Sequence, residues 1–239
     1  MKYIDATLPT PAENLACDEV LLDLRENGAE GEMLRFWEPQ TPFVVMGYAN
    51  HAAREVNLPA CEAAEIPVFR RCSGGGTVLQ GPGCLNYTLI LRVPETGPLA
   101  TINGANKFIM GQNQAALGPL VENEIKIQGH TDLVINHQKF SGNAQRRRRK
   151  FLIFHGTFLL QFDLSLVEKY LRMPSKQPDY RKDRPHREFL TNLNLAPDAV
   201  KRALANQWQV TETLRDLPMD KIGELVQTRY LTHEWNFKF

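Results

Sequence analysis

Three consecutive glycines, Gly74-Gly75-Gly76, follow the apolar run Ile66 to Phe69 and the pair Arg70-Arg71. Glycine is a poor helix former and weakens a strand interior, so such a run punctuates the chain and fixes a loop at this point. It also lets backbone N–H groups approach an anion with no Cβ in the way, and an arginine fork adds paired donors that suit a phosphate or a carboxylate. Arg70, Ser73, Gly74, Gly75, Gly76, Thr77 and Val78 thus describe an anion cradle, a plain flexible turn being the alternative for glycines taken alone. No Gly-Lys-Ser/Thr follows and no GxGxxG is present, which excludes the two commonest nucleotide fingerprints.

The elements around this loop can be read from local signals. Thr10-Pro11-Ala12-Glu13 has the form of a capping box with proline at the first helical position. Cys17, Val20, Leu21 and Leu24 follow at helical spacing, so a helix should run to about Glu26, where Asn27-Gly28 stops it. Met33 to Trp37, Phe43 to Met46 and the alternating Leu85 to Arg92 read as strands. Asn136-His137 can serve as a two-residue hairpin turn between Asp132 to Ile135 and Gln138 to Ser141, placing Lys139 on the outgoing strand. Ser165 to Arg172, Pro197 to Gln207 and Asp220 to Thr228 read as helices, whereas Met173 to Arg187 lacks periodicity and reads as a linker. Strands cluster without regular interleaving by helices, so the expected class is α+β, with mixed β-sheets flanked by helices.

Composition removes several function classes. Lys and Arg total 28 against 27 Asp and Glu, so a net charge of +1 gives no global field toward nucleic acid or an anionic membrane. No apolar run reaches a membrane span and Met1 to Asp18 lacks a leader pattern, from which a cytoplasmic location and no membrane partner are expected. Cys17, Cys61, Cys72 and Cys84 show no CxxC spacing and read as buried small hydrophobes.

A second chemical segment is Lys139-Phe140-Ser141-Gly142-Asn143-Ala144-Gln145, followed by Arg146 to Lys150 and His155-Gly156-Thr157. A lysine among small residues near a sheet can bring a point charge to a reacting phosphate or carboxylate. Taken singly, it is more often an exposed hairpin lysine.

In combination, Arg70 to Val78, Gly83-Cys84-Leu85-Asn86, Thr131-Asp132-Leu133-Val134, Lys139 to Gln145 and His155-Gly156-Thr157 resemble, in order, the motifs of the biotin/lipoate A/B protein ligase superfamily, nearest its lipoate-ligase branch. The resemblance spans about Asn14 to Asp163 and includes Phe36-Trp37 and Val44 to Gly47. It implies the ligase catalytic-domain fold over residues 1–183, a small helical C-terminal extension over 184–239, and a cleft between the glycine loop and the lysine strand. It also implies an ATP-dependent ligase that turns lipoate or octanoate into its adenylate and passes the acyl group to a lysine of an acidic lipoyl carrier domain or a glycine-cleavage H-like protein.

Position by position, Lys139 would be the catalytic lysine, lying between the acid's carboxylate and the α-phosphate. Arg70, Ser73 and Gly74 to Val78, with Asp132, Gly142 and Ala144, would hold ATP and the acyl-AMP. Trp37, Gly47, His155 and Gly156 would line the acyl pocket, and Asp132 would partner either that lysine or Mg2+. Some relatives instead transfer octanoyl groups through a cysteine thioester, but Gly118 to Thr131 has no cysteine and none follows Cys84, which favours adenylation. An ATP-independent transferase and a non-catalytic lipoyl-binding relative are the alternatives. Tyr48-Ala49 stands where many ligases carry Arg-Gln, and for the short C-terminus the alternatives are a small helical cap or a separate accessory chain that completes the activity. Arg146 to Lys150 reads as a solvated hairpin tip or as a lure for the acidic carrier.

Overall fold

The computed structural model describes residues 1–239. Its capping box forms as the sequence predicts. Thr10 Oγ1 accepts from the Glu13 amide at 3.2 Å, and the Glu13 carboxylate accepts from the Thr10 amide at 2.8 Å. Helix α1 (Pro11–Glu26) starts there, and beyond its C-cap Gly28 adopts a φ of +110°.

Eight strands form the main sheet: β1 (Lys2–Asp5), β2 (Met33–Trp37), β6 (Cys84–Arg92), β7 (Lys126–Gln128), β8 (Asp132–Ile135), β9 (Gln138–Arg147), β10 (Phe151–Leu159) and β11 (Glu212–Thr213). Their spatial order is β11-β1-β2-β6-β10-β9-β8-β7, parallel around β1 and antiparallel from β2 onward. A smaller sheet holds β4 (Val68–Arg70), β3 (Phe43–Met46) and β5 (Val78–Gln80) in that order. Two sheets of mixed direction flanked by helices make the fold α+β, as expected.

The period-two pattern of β6 explains the layering. Leu85, Tyr87, Leu89 and Leu91 project to one face, where α4 (Ile102–Leu117) and α7 (Pro197–Gln207) cover them with Ile109, Met110, Val200 and Leu204. Ile90 on the other face joins Ile153, Trp37 and the apolar stripe of α1. That layer is completed by α8 (Met219–Leu225), which continues into a π-turn over Val226–Tyr230. The small sheet packs with α2 (Ala52–Glu55), α3 (Leu58–Ala63) and α5 (Ser165–Tyr170) around Val44, Met46 and Val56.

Asn136 and His137 both have positive φ, 50° and 65°, and form the two-residue turn joining β8 to β9. The basic run at the end of β9 and in the turn after it lies along α1. Glu19, Asp23 and Glu26 stripe one face of α1 and meet it in order: Arg146 pairs with Glu19 at 2.8 Å, Arg148 with Asp23 at 2.9 Å, and the amides of Arg149, Lys150 and Phe151 donate to Glu26. Arg147 donates to the carbonyls of Leu99 and Ala100. The side-chain charges of Arg146 and Arg148 are therefore paired within the protein, whereas Arg149 and Lys150 use mainly their backbone amides and keep exposed side chains.

Residues beyond 184 form α6 (His186–Phe189), α7, the edge strand β11, α8 and α9 (His233–Asn236). They pack on both faces of the main sheet and beneath the glycine loop. No helix is long and apolar enough to cross a membrane.

Candidate active site

A cavity of about 870 Å³ opens between the glycine loop and the β8–β9 hairpin. Lys139 enters it from β9, where its side chain lies across Gly142; a Cβ at Gly142 would come within 2.9 Å of the lysine's Cε and Nζ. Nζ stops 2.8 Å from Asp132 Oδ1, on the first residue of β8. The other carboxylate oxygen, Oδ2, accepts from the Tyr180 hydroxyl at 2.7 Å. Asp132 is thus a partner of Lys139, the first of the two roles the sequence offered for it. No group of three His, Cys, Asp or Glu side chains converges here, and a Mg2+ arriving with ATP would be held mainly by the nucleotide's phosphates and water, with at most one or two carboxylates from the protein.

The opposite wall is the glycine loop. Gly75, Gly76, Thr77 and Val78 line the cavity, and Gly75 sits at φ +87°, where a Cβ would press on Arg71 Nη2 at 2.8 Å. Arg71 is buried and shapes the loop from within, donating to the carbonyls of Gly74 at 2.5 Å and Gly76 at 2.9 Å and to Ser73 Oγ at 3.1 Å. Burial lowers its pKa to about 10, so it remains a cation at neutral pH.

Arg70, expected at the phosphate, is elsewhere. It is fully buried, and its guanidinium donates to the carbonyls of Gly47, Tyr48, Asn50, Trp235 and Asn236. Successive residues of an extended chain point to opposite sides, so only one arginine of the pair can face the cavity, and it is Arg71. Gly47 also lies outside the lining; it permits close approach to the loop, since its Cβ would fall 2.0 Å from the Gly75 carbonyl oxygen. Ser73 and Gly74 support the loop from behind.

His155, on β10, lines the cavity floor with Gly156, Ala144 and Trp37. Its Nε2 lies 2.5 Å from Ser73 Oγ and its Nδ1 3.6 Å from Asp18 Oδ2. Asp18 is buried on α1, with Arg35 Nη1 at 2.6 Å from Oδ1 and Thr88 donating to Oδ2 at 2.8 Å. Burial alone would raise the Asp18 carboxyl, but Arg35, His155 and Thr88 outweigh it and hold the pKa below the ordinary value. Gly156 makes room for its cross-strand partner Asn143, whose Oδ1 would be 1.7 Å from a Cβ there. That Oδ1 accepts from Tyr87 at 2.6 Å, Tyr87 in turn accepts from Asn113 at 2.8 Å, and Trp208 Nε1 donates to Asn113 Oδ1 at 3.0 Å.

All four cysteines are buried and none lines the cavity. Burial pushes the thiols of Cys17, Cys72 and Cys84 up to about 12 and raises that of Cys61. A nucleophilic cysteine needs the reverse shift.

The residues that sequence reasoning missed are Asp18 and Tyr180; Arg71, one of the two cations before the glycines, and Asn143, in the lysine segment, were named there without a site role of their own. Tyr180 lies in the segment read as a linker, Met173 to Arg187, which forms a wall of the cavity. Asp18 carried the one available signal, a charged residue among the apolar positions of α1.

The family model for the lipoyl protein ligase A/B catalytic domain matches residues 10–209. The octanoyltransferase LipM of Brevibacillus brevis is 28% identical over 99% of this chain and 98% of its own. A probable lipoate-protein ligase A of Mycoplasma genitalium is 29% identical over 95% of this chain and 69% of its own. Among solved structures, a lipoate-protein ligase A bound with ATP superposes with a TM-score of 0.83 at 22% identity, covering 99% of each chain. A bipartite lipoate protein ligase of Thermoplasma acidophilum, solved with its E2 lipoyl domain, gives 0.82 at 22% identity over 99% of this chain and 95% of that one.

Proposed function

Because the chain belongs to the lipoyl protein ligase A/B catalytic domain family, we propose that it is an ATP-dependent ligase that activates lipoate or octanoate as the acyl-adenylate and transfers the acyl group to a lysine of a lipoyl carrier domain. The observation that carries this reading is the pairing of a cavity lysine, Lys139, with a complete set of buried thiols outside the cavity. An acyl-cysteine route requires a thiolate beside the acyl donor, and here burial raises every thiol.

An ammonium has three N–H donors. Lys139 spends one on Asp132, leaving two for the cavity, which matches one oxygen of the acid's carboxylate and one of the α-phosphate. In the first step the carboxylate attacks the α-phosphorus and pyrophosphate leaves; in the second, the carrier's neutral amine attacks the mixed anhydride and AMP leaves. Lys139 stabilises the charge that builds on oxygen in both, and the Gly75 to Val78 backbone adds donors opposite it. Arg71 replaces Arg70 as the cation that shapes this cradle. Trp37 and His155 line the acyl end of the cavity, and ATP is favoured by the fold shared with a ligase bound with that nucleotide.

Similarity to LipM over nearly the whole chain favours a second reading, octanoyl transfer without ATP. Incubation with ATP, magnesium, lipoate and a lipoyl-domain acceptor, followed by intact mass and pyrophosphate release, separates the two, with octanoyl carrier protein as the comparison donor. Lipoate-dependent pyrophosphate release is the expected result; acylation from the octanoyl carrier alone, with none from ATP and lipoate, would reject the ligase. The same assay repeated with an E2 lipoyl domain and an H-like protein identifies the carrier class. An accessory chain, as in the bipartite relative, is needed only if lipoyl-AMP forms and the acceptor stays unmodified.

A further inference from the structure

We propose that Tyr180 is a positioning residue: by holding one oxygen of Asp132 it fixes the direction in which the other oxygen aims the Lys139 ammonium. The inference rests on the reading that Lys139 acts on the adenylate.

A carboxylate with a single partner can turn about its last torsion, and a lysine on a four-carbon stem follows it. Here both oxygens are engaged, Oδ1 by Lys139 at 2.8 Å and Oδ2 by the Tyr180 hydroxyl at 2.7 Å, so the plane of the carboxylate is set by two donors on different elements. Lys139 is held from below by the space over Gly142 and from the side by Asp132, which leaves its remaining donors pointing into the cavity.

The tyrosine is itself held. Its ring lies 5.2 Å from that of Phe189, and Phe189 also carries the guanidinium groups of Arg181 at 4.6 Å and Arg184 at 5.2 Å. Gly129, at φ +57°, packs its backbone beside the ring, where even a Cβ would stand in ordinary contact, 3.6 Å from Tyr180 Cε1. Arg184 then ties the segment to the β8–β9 turn by donating to the His137 carbonyl at 3.0 Å. Burial, and next the charge of Asp132, raise the tyrosine's pKa, so its hydroxyl stays a donor through the working range of pH. The polarity of the contact is thereby fixed, hydroxyl to carboxylate.

Besides Asp132, the charges acting on Tyr180 are those of Arg184 and Arg181 on its own segment, while His130, Lys176, Asp179 and His186 also line the cavity. Neither arginine reaches Asp132 with a hydrogen bond: Arg184 spends its donors on the carbonyls of His137, Tyr180 and Arg181, and Arg181 spends its Nε on Arg184. Removal of the tyrosine hydroxyl therefore leaves Asp132 Oδ2 with no substitute donor from these arginines.

The test compares the wild type with Tyr180→Phe, Asp132→Asn and the double variant. If Tyr180 works through Asp132, Tyr180→Phe lowers kcat for lipoyl-AMP formation about tenfold with KM for ATP and lipoate unchanged, and the double variant is no slower than Asp132→Asn alone. An unchanged kcat in Tyr180→Phe, or losses that multiply in the double variant, would overturn the proposal. A second readout is independent of the chemistry: with 15N-lysine labelling, the Lys139 ammonium should exchange its protons faster in Tyr180→Phe, at an unchanged melting temperature. An identical ammonium signal in the two proteins rejects the positioning role. A wild type that forms no lipoyl-AMP would reject the ligase reading, and the labelled ammonium would still decide the role of Tyr180.

Discussion

Lys139 reaches the cavity only because Gly142 has no side chain: its Cε and Nζ both pass 2.9 Å from where a Gly142 Cβ would stand. The neighbour that would have to give way is the far end of a flexible lysine, so the fold can absorb a methyl group there while the ammonium cannot keep its place. Gly142→Ala should therefore leave the melting temperature within a few degrees of wild type and reduce lipoyl-AMP formation by about tenfold or more, since displacement of a charge-stabilising group by an ångström has effects of that order. Pyrophosphate release and thermal denaturation measured on the same preparation check both halves. Lys139→Ala should abolish the reaction outright.

Burial of every thiol predicts insensitivity to alkylation. Native protein treated with iodoacetamide at neutral pH should keep its acyl-transfer activity, and Cys72→Ala should keep it too, at some cost in stability from the small void. Cys72 is the informative position because it adjoins the glycine loop. Complete loss of transfer in that variant, with the fold intact, would reinstate a covalent route.

Arg70 should behave as a structural residue. Its guanidinium satisfies five carbonyl groups drawn from the 47–50 loop and from α9. Arg70→Met leaves these buried acceptors without their donors, for which a loss of about 3 kcal/mol or more is expected. Urea denaturation should show it, with early proteolysis near Trp235 and a KM for ATP close to wild type under conditions where the fold holds. An unchanged unfolding midpoint with a tenfold rise in that KM would return Arg70 to the phosphate.

His186 should make stability fall in mild acid. Burial depresses its pKa first, and the charge of Arg181 adds to that, against the opposing bond to the Arg172 carbonyl and the charge of Glu168. The folded state thus resists a proton that the unfolded chain takes up near pH 6.5. Its contribution is fully present above that pH and is lost as the pH drops through and below it. Asp18, held below the usual carboxylate range, loses its contribution only in a lower window, beneath about pH 4. Urea midpoints at pH 8, 6 and 5 should therefore decline in the wild type and decline less in His186→Gln.

Within the basic run, position should matter more than charge. Glu19 has no exposed side-chain surface and depends on Arg146, Arg229 and the Tyr230 hydroxyl, so Arg146→Ala should cost about 1–3 kcal/mol. Arg148 and Asp23 are both more than a third exposed, and Arg148→Ala should cost under about 1 kcal/mol. Comparable unfolding midpoints for the two variants would argue against this contrast.

Much of the framework could be read locally because its signals are local. The capping box, the alternation of β6 and the Asn136-His137 turn each depend on residues within a few positions of one another, and each element forms where the pattern puts it. The joint order of motifs then led to the family. What could not be read is which way side chains point where two equivalent residues compete, as with Arg70 and Arg71, and what an aperiodic segment touches. Tyr180 meets Asp132 across 48 residues, and β11 pairs with β1 across nearly the whole chain. Contacts of that kind are made by packing, after local preference has been satisfied, and leave no periodic trace.

The relay from Trp208 through Asn113 and Tyr87 to Asn143 joins the outer helix to the cavity floor entirely by side-chain hydrogen bonds. It gives the molecule an optical reporter of its own: a change at the floor that turns Asn143 must be passed outward, partner by partner, to an indole N–H at the C-cap of α7. The emission of Trp208 would then follow the filling of a cavity that its ring never enters.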